Sequence, residues 1–510
     1  VLRTDVVKLA ICLVVFTALL APLRRAVVDD TFIHLQYARN LAETGQLAFN
    51  RGEPTYGATS PLWVALLALF YKGGADILVW CKILSWIFGM LSIVLVFRMT
   101  IALDGRTAAP LAAALICSAE AWFVRWSAVG METSFGVFFV LLAIYASTAA
   151  VRTGGRSAAF GIALVLAVLA RPESVLLVPL AVLAVGLPRN EAKLRRFAFV
   201  PVFVVLFGLW LYFIHRHTGS YLPLTAGAKQ GRPVWSAALL RSALVPVRIM
   251  GATVPLPWLA LLAGLVGGAL RRGFPPASAG ASGSIRETPA ALLLLLWVFA
   301  LPASYVALDF QILSRYLVPV IPGVAVLGVI AWRRMSSRFW PGGARERYAV
   351  ALLAAIVMVQ SVSVYLKVVV PSTREFSSAL ETSIAAMGEW LKNNSSPEAV
   401  VATPDIGAIG YYSDRRVLDL GGLVSPEMNR MRETRDIEDI IEKGLYLKFH
   451  PDFLVDRSET PGRFSGKVID GVRFIPVMTA EVPNLGIRKP KPVFYVLYRL
   501  EPAGPAAEGT

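Results

Sequence analysis

Apolar runs of about 14–24 residues recur from Val6 to residue 369, often flanked by Arg or Lys. At about 1.5 Å of helix rise per residue, runs of this size suit a hydrocarbon layer roughly 30 Å thick. In lipid every backbone amide must be satisfied inside the protein. That leaves helices or closed barrels, and continuous apolar runs select helices. Composition agrees: 56% of the 510 residues are hydrophobic and the mean hydropathy is +0.61, against roughly 45–50% apolar in a soluble protein. The expected fold is an α-helical polytopic membrane protein. Candidate spans fall at roughly 6–23, 77–97, 107–121, 134–151, 157–170, 174–187, 196–214, 253–270, 289–307, 316–333 and 349–369, about eleven transmembrane helices. Segment 61–71 is too short to cross alone and is expected to be re-entrant or interfacial. The first run, Val6 to Leu23, has no small-residue cleavage site behind it and reads as a retained helix.

Charge sets the orientation. The net charge is +16, from 50 basic and 34 acidic residues. In a membrane protein such an excess marks cytoplasmic loops, so no nucleic-acid partner is expected. The strongly basic loops are Arg189–Arg196, Arg271–Arg286 and Arg333–Arg347. One threading puts all of them inside, together with Arg3 and Lys8. The outer face then receives loop 24–60, the turn at Glu132, the triplet Arg171-Pro172-Glu173, segment 215–252, the link Asp309–Arg315, and everything after residue 370. The reading is a multi-pass protein of the cytoplasmic (inner) membrane, with its chemistry on the periplasmic or extracellular side. Cys12, Cys81 and Cys117 all lie in apolar segments and form no CxxC or disulfide framework.

Composition changes at Pro371. An amphipathic helix is expected over Phe376–Leu391, and strands over Ala399–Thr403, Arg416–Leu420, Asp452–Asp456, Phe474–Val482 and Val493–Leu500. Alternating strands and helices point to a C-terminal non-cytoplasmic α/β domain. The domains are therefore 1–370 (transmembrane), 371–501 (soluble α/β) and 502–510 (disordered tail).

The acidic pair Asp29-Asp30 follows the first span directly. Carboxylates are costly in hydrocarbon and belong at the water interface, where one can take a proton from a hydroxyl. A helix N-cap explains one Asp but accounts less well for two at a membrane exit. Neighbouring helical residues point about 100° apart, so the two have different jobs. One caps or holds a metal and the other acts as general base. His34 is four residues from Asp30 and shares its face. His34 and Arg39 are candidate substrate contacts, with ordinary packing the competing role for His34. Asn50 to Trp63 is a turn-rich return to the membrane, with Trp63 suited to the interfacial belt. Glu132 sits at the outer end of a hairpin. Arg171 and Glu173 flank Pro172, which breaks the run. They form either a self-compensating pair or a phosphate grip through the planar guanidinium. In segment 215–229, His215 and His217 are a weak metal signal, while Arg216 and Lys229 suit an anionic lipid headgroup. Arg315 opens a span, snorkelling or meeting phosphate. Asp405 follows a strand and suits a turn or a contact. A divalent metal is compatible with the acids but not called for, and no other cofactor is implied.

The order of these blocks resembles a known group. Asp29-Asp30-Thr31-Phe32-Ile33, Tyr37-Ala38-Arg39-Asn40-Leu41, Gly45, Phe49-Asn50, Gly52-Glu53 and Thr59-Ser60-Pro61-Leu62-Trp63 look like the N-terminal block of GT-C fold membrane glycosyltransferases. The nearest group is the terminal β-arabinofuranosyltransferase-like proteins of bacterial cell-wall assembly. Gly130-Met131-Glu132-Thr133, Arg171-Pro172-Glu173, Leu222-Pro223 through Lys229, Arg315-Tyr316 with Pro319, Gly407 to Tyr412, and Asp419-Leu420 with Gly422-Leu423 resemble later blocks. The resemblance implies an enzyme that takes a sugar from a polyprenyl phosphate and acts outside the cytoplasmic membrane. Its partners would be a polyprenyl-phosphate-linked sugar, a glycan or lipid acceptor, and membrane lipid. An acid of the first outer loop is the implied base, here Asp29 or Asp30. Where the actinobacterial enzymes carry a Gly-Tyr-Thr-Asn pattern this chain has Tyr56-Gly57-Ala58-Thr59-Ser60, which leaves the sugar open. The competing readings are a transporter or flippase, a transferase acting on protein, and a non-catalytic scaffold.

Overall fold

A computed structural model describes residues 2–153, 157–186, 196–225, 237–267, 289–340, 343–485 and 491–503. The chain divides into two compact units. The first comprises Val1–Arg24, Cys81–Trp210 and Gln230–Val370, and the second Arg25–Trp80, Leu211–Lys229 and Pro371–Thr510.

Among the described residues six helices are long and apolar enough to cross a membrane: Arg3–Leu23, Ile77–Asp104, Phe199–Thr218, Pro289–Ala307, Ser314–Phe339 and Ala344–Asn394. Two bent pairs raise the number to eight if each is one span. Ala121–Ala128 turns by 118° into Thr133–Thr148, and Ser242–Thr253 by 114° into Pro255–Val266. Four shorter apolar helices carry the other runs: Pro61–Lys72, Ala109–Ala119, Ser157–Ala170 and Pro172–Gly186. The run expected at 107–121 is thus an 11-residue helix, about 16 Å long. The run expected at 253–270 begins at Pro255, because Val254 leaves the helical region before a proline that has no amide to donate. The stretch before it, read as part of an outer segment, is helical over Ala237–Thr253.

Leu352, Ile356 and Val359 form an exposed apolar stripe on Ala344–Val364, as do Val204, Val205 and Leu209 on Phe199–Thr218. Such stripes are stable against lipid and not against water. With the long apolar helices they make this a multi-pass membrane protein. Without a hydrophobic driving force between helices in lipid, close backbone approach does the packing. Gly328 is the clearest case: a Cβ there would lie 2.3 Å from the Pro257 carbonyl oxygen. Charge ties three helix ends together, since Arg333 donates to both Asp104 oxygens (2.5 and 2.6 Å) and to Glu346 (2.8 Å).

The second unit is α/β. Six strands, β1 Val400–Thr403, β2 Arg416–Asp419, β3 Phe453–Ser458, β4 Val468–Ile469, β5 Val472–Val482 and β6 Val493–Pro502, form one sheet in the order β2-β1-β3-β6-β5-β4. β1 pairs in parallel with β2 and β3, and the remaining neighbours are antiparallel. All five strands expected from sequence are present, and β4 is an added two-residue hairpin partner. Residues 504–510 of the expected tail lie outside the described residues, and Pro502 closes β6. Leu418, Leu454, Phe464, Phe474 and Val496 build the core on the sheet.

Residues 25–60 belong to this unit, and their sequence blocks read as docking devices. β2 is an edge strand, and open edges need cover. Asn50 supplies it: its amide nitrogen donates to the Val417 carbonyl and its oxygen accepts from the Val417 amide, both at 2.9 Å. Glu53 pairs with Arg416 at 2.6 Å. Trp63, expected at the membrane interface, is instead fully buried. It shares with Val64 and Leu67 the inward face of Pro61–Lys72. Leu224, after Leu222-Pro223, is pinned by one backbone bond, its amide donating to the Tyr56 carbonyl, and by the side chain of Asn429.

Candidate functional site

In the second unit, Val28 is extended and the helix Asp29–Thr44 starts at the acidic pair, both residues lying in its first turn. Asp29 is partly buried, and both of its oxygens are engaged. Oδ2 accepts from the Gly407 amide at 3.1 Å and Oδ1 from the Ala408 amide at 2.7 Å. Gly407 is required for this approach, because a Cβ there would lie 2.0 Å from the Asp29 carbonyl oxygen. Gly410 makes similar room for the Phe49 ring, 2.5 Å from its ideal Cβ. Burial pushes the Asp29 carboxyl up to about 7, with the charges of Asp405 and then Asp30 adding to the effect and the two amide bonds opposing it.

Asp405 lies near enough for that influence and is itself anchored. Both of its oxygens accept from Arg457 at 2.8 Å, and Oδ2 also accepts from the Tyr495 hydroxyl at 2.8 Å. Asp405 in turn holds the Arg457 guanidinium above its ordinary value. Asp30 is partly exposed. Its carbonyl meets His34 Nδ1 at 3.2 Å, and His34 is buried. Arg39 is engaged by the protein: it donates to Gln36 (2.5 Å), Asp414 (3.0 Å) and the Tyr411 carbonyl (3.2 Å). His215 stacks on Tyr221 at 4.0 Å, and His217 Nδ1 contacts the Phe213 carbonyl at 2.8 Å. The two rings leave one helix about 200° apart, which explains why i, i+2 histidines do not converge there. Arg216 is exposed, and Lys229 lies outside the described residues. Among the described residues no group of three or more His, Cys, Asp or Glu side chains is placed to hold a metal ion.

The first unit holds a separate polar cluster. Arg171 is buried, with Nη1 donating to Glu132 at 2.9 Å and Nε to Glu173. Extended backbone at Arg171 before Pro172 aims the side chain inward. Gly136 leaves room for its stem, since a Cβ there would sit 2.4 Å from Arg171 Cδ. The sequence pairing of Arg171 with Glu173 is therefore realised, and Glu132 completes a three-membered cluster. Arg315 is buried, and its guanidinium lies 5.2 Å from the Tyr316 ring and 5.8 Å from the Trp126 ring. Sequence reasoning missed Arg125, Arg457 and Tyr495. Arg125 lies between the runs expected as spans at 107–121 and 134–151, and nothing local in the sequence signals its burial.

Comparison with known proteins adds the following. A family model described as a domain of unknown function (DUF8728) matches residues 374–493. A search of curated proteins finds no match. The crystal structure of ArnT from Cupriavidus metallidurans bound to undecaprenyl phosphate is similar over 96% of this chain and 97% of that one, with a TM-score of 0.59 and 16% identity. The Archaeoglobus fulgidus oligosaccharyltransferase in the apo form is similar over 89% of this chain and 69% of that one, with a TM-score of 0.58 and 12% identity. The chain has the GT-C fold. A further structure with this fold, the oligosaccharyltransferase AglB from Archaeoglobus fulgidus in complex with an inhibitory peptide and a dolichol-phosphate, has a TM-score of 0.57, 13% identity, and covers 88% of this chain and 69% of that one.

Proposed function

We propose that this protein is a membrane glycosyltransferase that moves a sugar from a polyprenyl-phosphate donor to a hydroxyl of a cell-envelope glycan or lipid. One observation carries the reading: nearly the whole chain shares its fold with a structure holding undecaprenyl phosphate. The terminal β-arabinofuranosyltransferase-like group is the proposed subfamily, and the basic loops support a reaction on the non-cytoplasmic side.

Asp30 is the proposed general base. Asp29 has both oxygens committed to the Gly407 and Ala408 amides, so it positions the start of the helix that bears Asp30. The acceptor oxygen attacks the anomeric carbon and its proton passes to the base. The bond to the phosphate oxygen breaks with its electron pair, and the anomeric centre inverts. The leaving lipid phosphate needs positive charge rather than a proton. Arg216 and Lys229 are the proposed source, as contacts for the lipid headgroup. Arg171, held by Glu132 and Glu173, serves as a structural clamp within the first unit, and His34 and Arg39 are proposed to order the helix of the base.

A second reading, transfer to a protein acceptor, is favoured by the fold shared with the oligosaccharyltransferase, which has been captured tethered to an acceptor peptide. Purified Asp30→Asn protein should fold normally and lose about 10²–10⁴-fold in transfer from a lipid-linked sugar. Asp29→Asn should lose far less. Wild-type turnover in Asp30→Asn removes the mechanism.

A further inference from the structure

The connection between two apolar helices of the first unit carries a pattern of charge and aromatic rings that the proposed reaction does not use. Helix Ile321–Phe339 ends there and helix Ala344–Val364 begins. Two side chains tie these ends together: Arg333 donates to Glu346 at 2.8 Å, and Trp332 Nε1 donates to the Ala349 carbonyl at 3.0 Å. The acids at this end are already engaged. Arg333 binds both Asp104 and Glu346, and Arg106 binds Asp5 at 3.0 Å. Arg338 and Arg345 are exposed, and among the described residues no ion pair or hydrogen bond engages either. Beside them Phe339 is 77% exposed and Tyr348 73%, and Trp340 is exposed as well. Aromatic rings at the ends of apolar helices suit the headgroup level of a bilayer. Helical geometry extends the pattern toward the hydrocarbon. At about 100° per residue, Arg345, Tyr348, Leu352, Ile356 and Val359 fall within an arc of roughly 80°, and the last three are exposed apolar side chains. The rise from Tyr348 to Val359 is about 16 Å, which matches one leaflet of a hydrocarbon layer roughly 30 Å thick. Arg347 leaves the same helix about 200° away from Arg345.

We propose that this connection is a binding site for an anionic phospholipid, its phosphate held by Arg338 and Arg345 and its acyl chains laid along Leu352, Ile356 and Val359. The site lies outside the glycosyl-transfer chemistry and stands or falls separately from it. Charge selects the occupant. A zwitterionic headgroup brings its own cation and gains little from a face whose acids are turned to other partners. A second copy of this chain is disfavoured, because in a two-fold contact the same patch meets itself and the arginines would face like charges. A free phosphate lacks the chains that would cover the apolar arc. On the proposed orientation this leaflet is the cytoplasmic one, where anionic lipids attract basic segments beside apolar helices.

The test titrates purified, delipidated full-length protein in detergent with phosphatidylglycerol and with phosphatidylcholine of the same chains, read by native mass spectrometry. A basic side chain near an anionic headgroup is worth about fivefold in affinity. Arg338→Gln and Arg345→Gln should each raise the phosphatidylglycerol dissociation constant by about that factor, and together by about 25-fold. Phosphatidylcholine should move by less than about twofold in the same variants. Arg338→Lys and Arg345→Lys keep the charge and should keep most of the binding, which covers the case in which a Gln variant fails to fold. Arg347→Gln, on the other side of the helix, should leave both lipids within about twofold of wild type. Leu352→Ser should weaken phosphatidylglycerol, and glycerol 3-phosphate, which has the charge without the chains, should bind at least about a hundredfold more weakly than the lipid. Equal loss of both lipids in the Gln variants, no loss of either, or an equal effect of Arg347→Gln overturns the proposal. Glycerol 3-phosphate binding as tightly as the lipid identifies a soluble-phosphate site and overturns it too, as does a dimer that Leu352→Ser dissociates. Turnover of a lipid-linked sugar does not enter the readout, so the outcome is independent of the transferase reading.

Discussion

Gly407→Ala probes the joint on which the acidic helix rests. The added Cβ would lie 2.0 Å from the Asp29 carbonyl oxygen and 2.8 Å from both its carbonyl carbon and Cγ. A carbon–oxygen contact needs roughly 3.2–3.5 Å, so the backbones must part by more than about 1 Å. The amide bonds to Asp29 stand at 3.1 and 2.7 Å. Parting by that much carries both past hydrogen-bond range. Each is worth about 0.5–1.5 kcal/mol with the carboxyl neutral and about 1.5–3 with it ionised, so the expected loss is about 1–6 kcal/mol and grows with pH. Asp29→Ala removes the same bonds without the clash, and the double variant should cost less than the sum, because the bonds are lost once. Gly208→Ala is the control: no atom lies within 4 Å of its added Cβ, and it should be neutral or slightly stabilising. Thermal unfolding in detergent, followed by limited proteolysis of the second unit, reads all four. A Gly407→Ala protein as stable as wild type refutes the docking account.

Protonation of Asp29 gives a pH signature. Its carboxyl titrates near 7 in the fold against 3.8 ordinarily, so the folded state holds more protons in between. Stability through this group is fully present below about pH 4 and falls as pH rises to about 7, by up to about 4 kcal/mol. Asp29→Asn lacks that fall, and unfolding curves for the two proteins that stay parallel from pH 4 to 8 would contradict it. Asn50→Ala should destabilise by about 2–4 kcal/mol, because the Val417 amide and carbonyl lose their partners; unchanged unfolding would rule out the edge-capping role. Arg171→Gln should cost about 3–5 kcal/mol by stranding two carboxylates. Adding Glu132→Gln should return part of that, and a strictly additive double variant would argue against the cluster.

Much of the architecture was legible in the chain. The apolar runs announced a helical membrane protein, and short alternating runs after Pro371 announced the strands of the α/β unit. Bends and short helices were less legible, since a hydropathy run does not say where Val254-Pro255 or Arg171-Pro172 will turn. The acidic pair was visible because charge at a span exit is costly. What separates Asp29 from Asp30 was not: it depends on the Gly407 and Ala408 amides, nearly 380 positions away. Asn50 and Trp63 looked like loop and membrane anchor because neither β2 nor the inward face of Pro61–Lys72 can be seen locally. Arg125 lies between the runs read as spans at 107–121 and 134–151, and its burial cannot be seen in the sequence.

The most direct test incubates the purified protein in nanodiscs with a polyprenyl-phosphate-linked sugar and an acceptor extract, and follows both lipids by mass spectrometry. The account predicts that polyprenyl phosphate appears in step with an acceptor carrying one more sugar, joined with inverted anomeric configuration, and that Asp30→Asn abolishes both. In a liposome format, intact donor crossing the bilayer with its sugar still attached, at equal rates in wild type and Asp30→Asn, would contradict it.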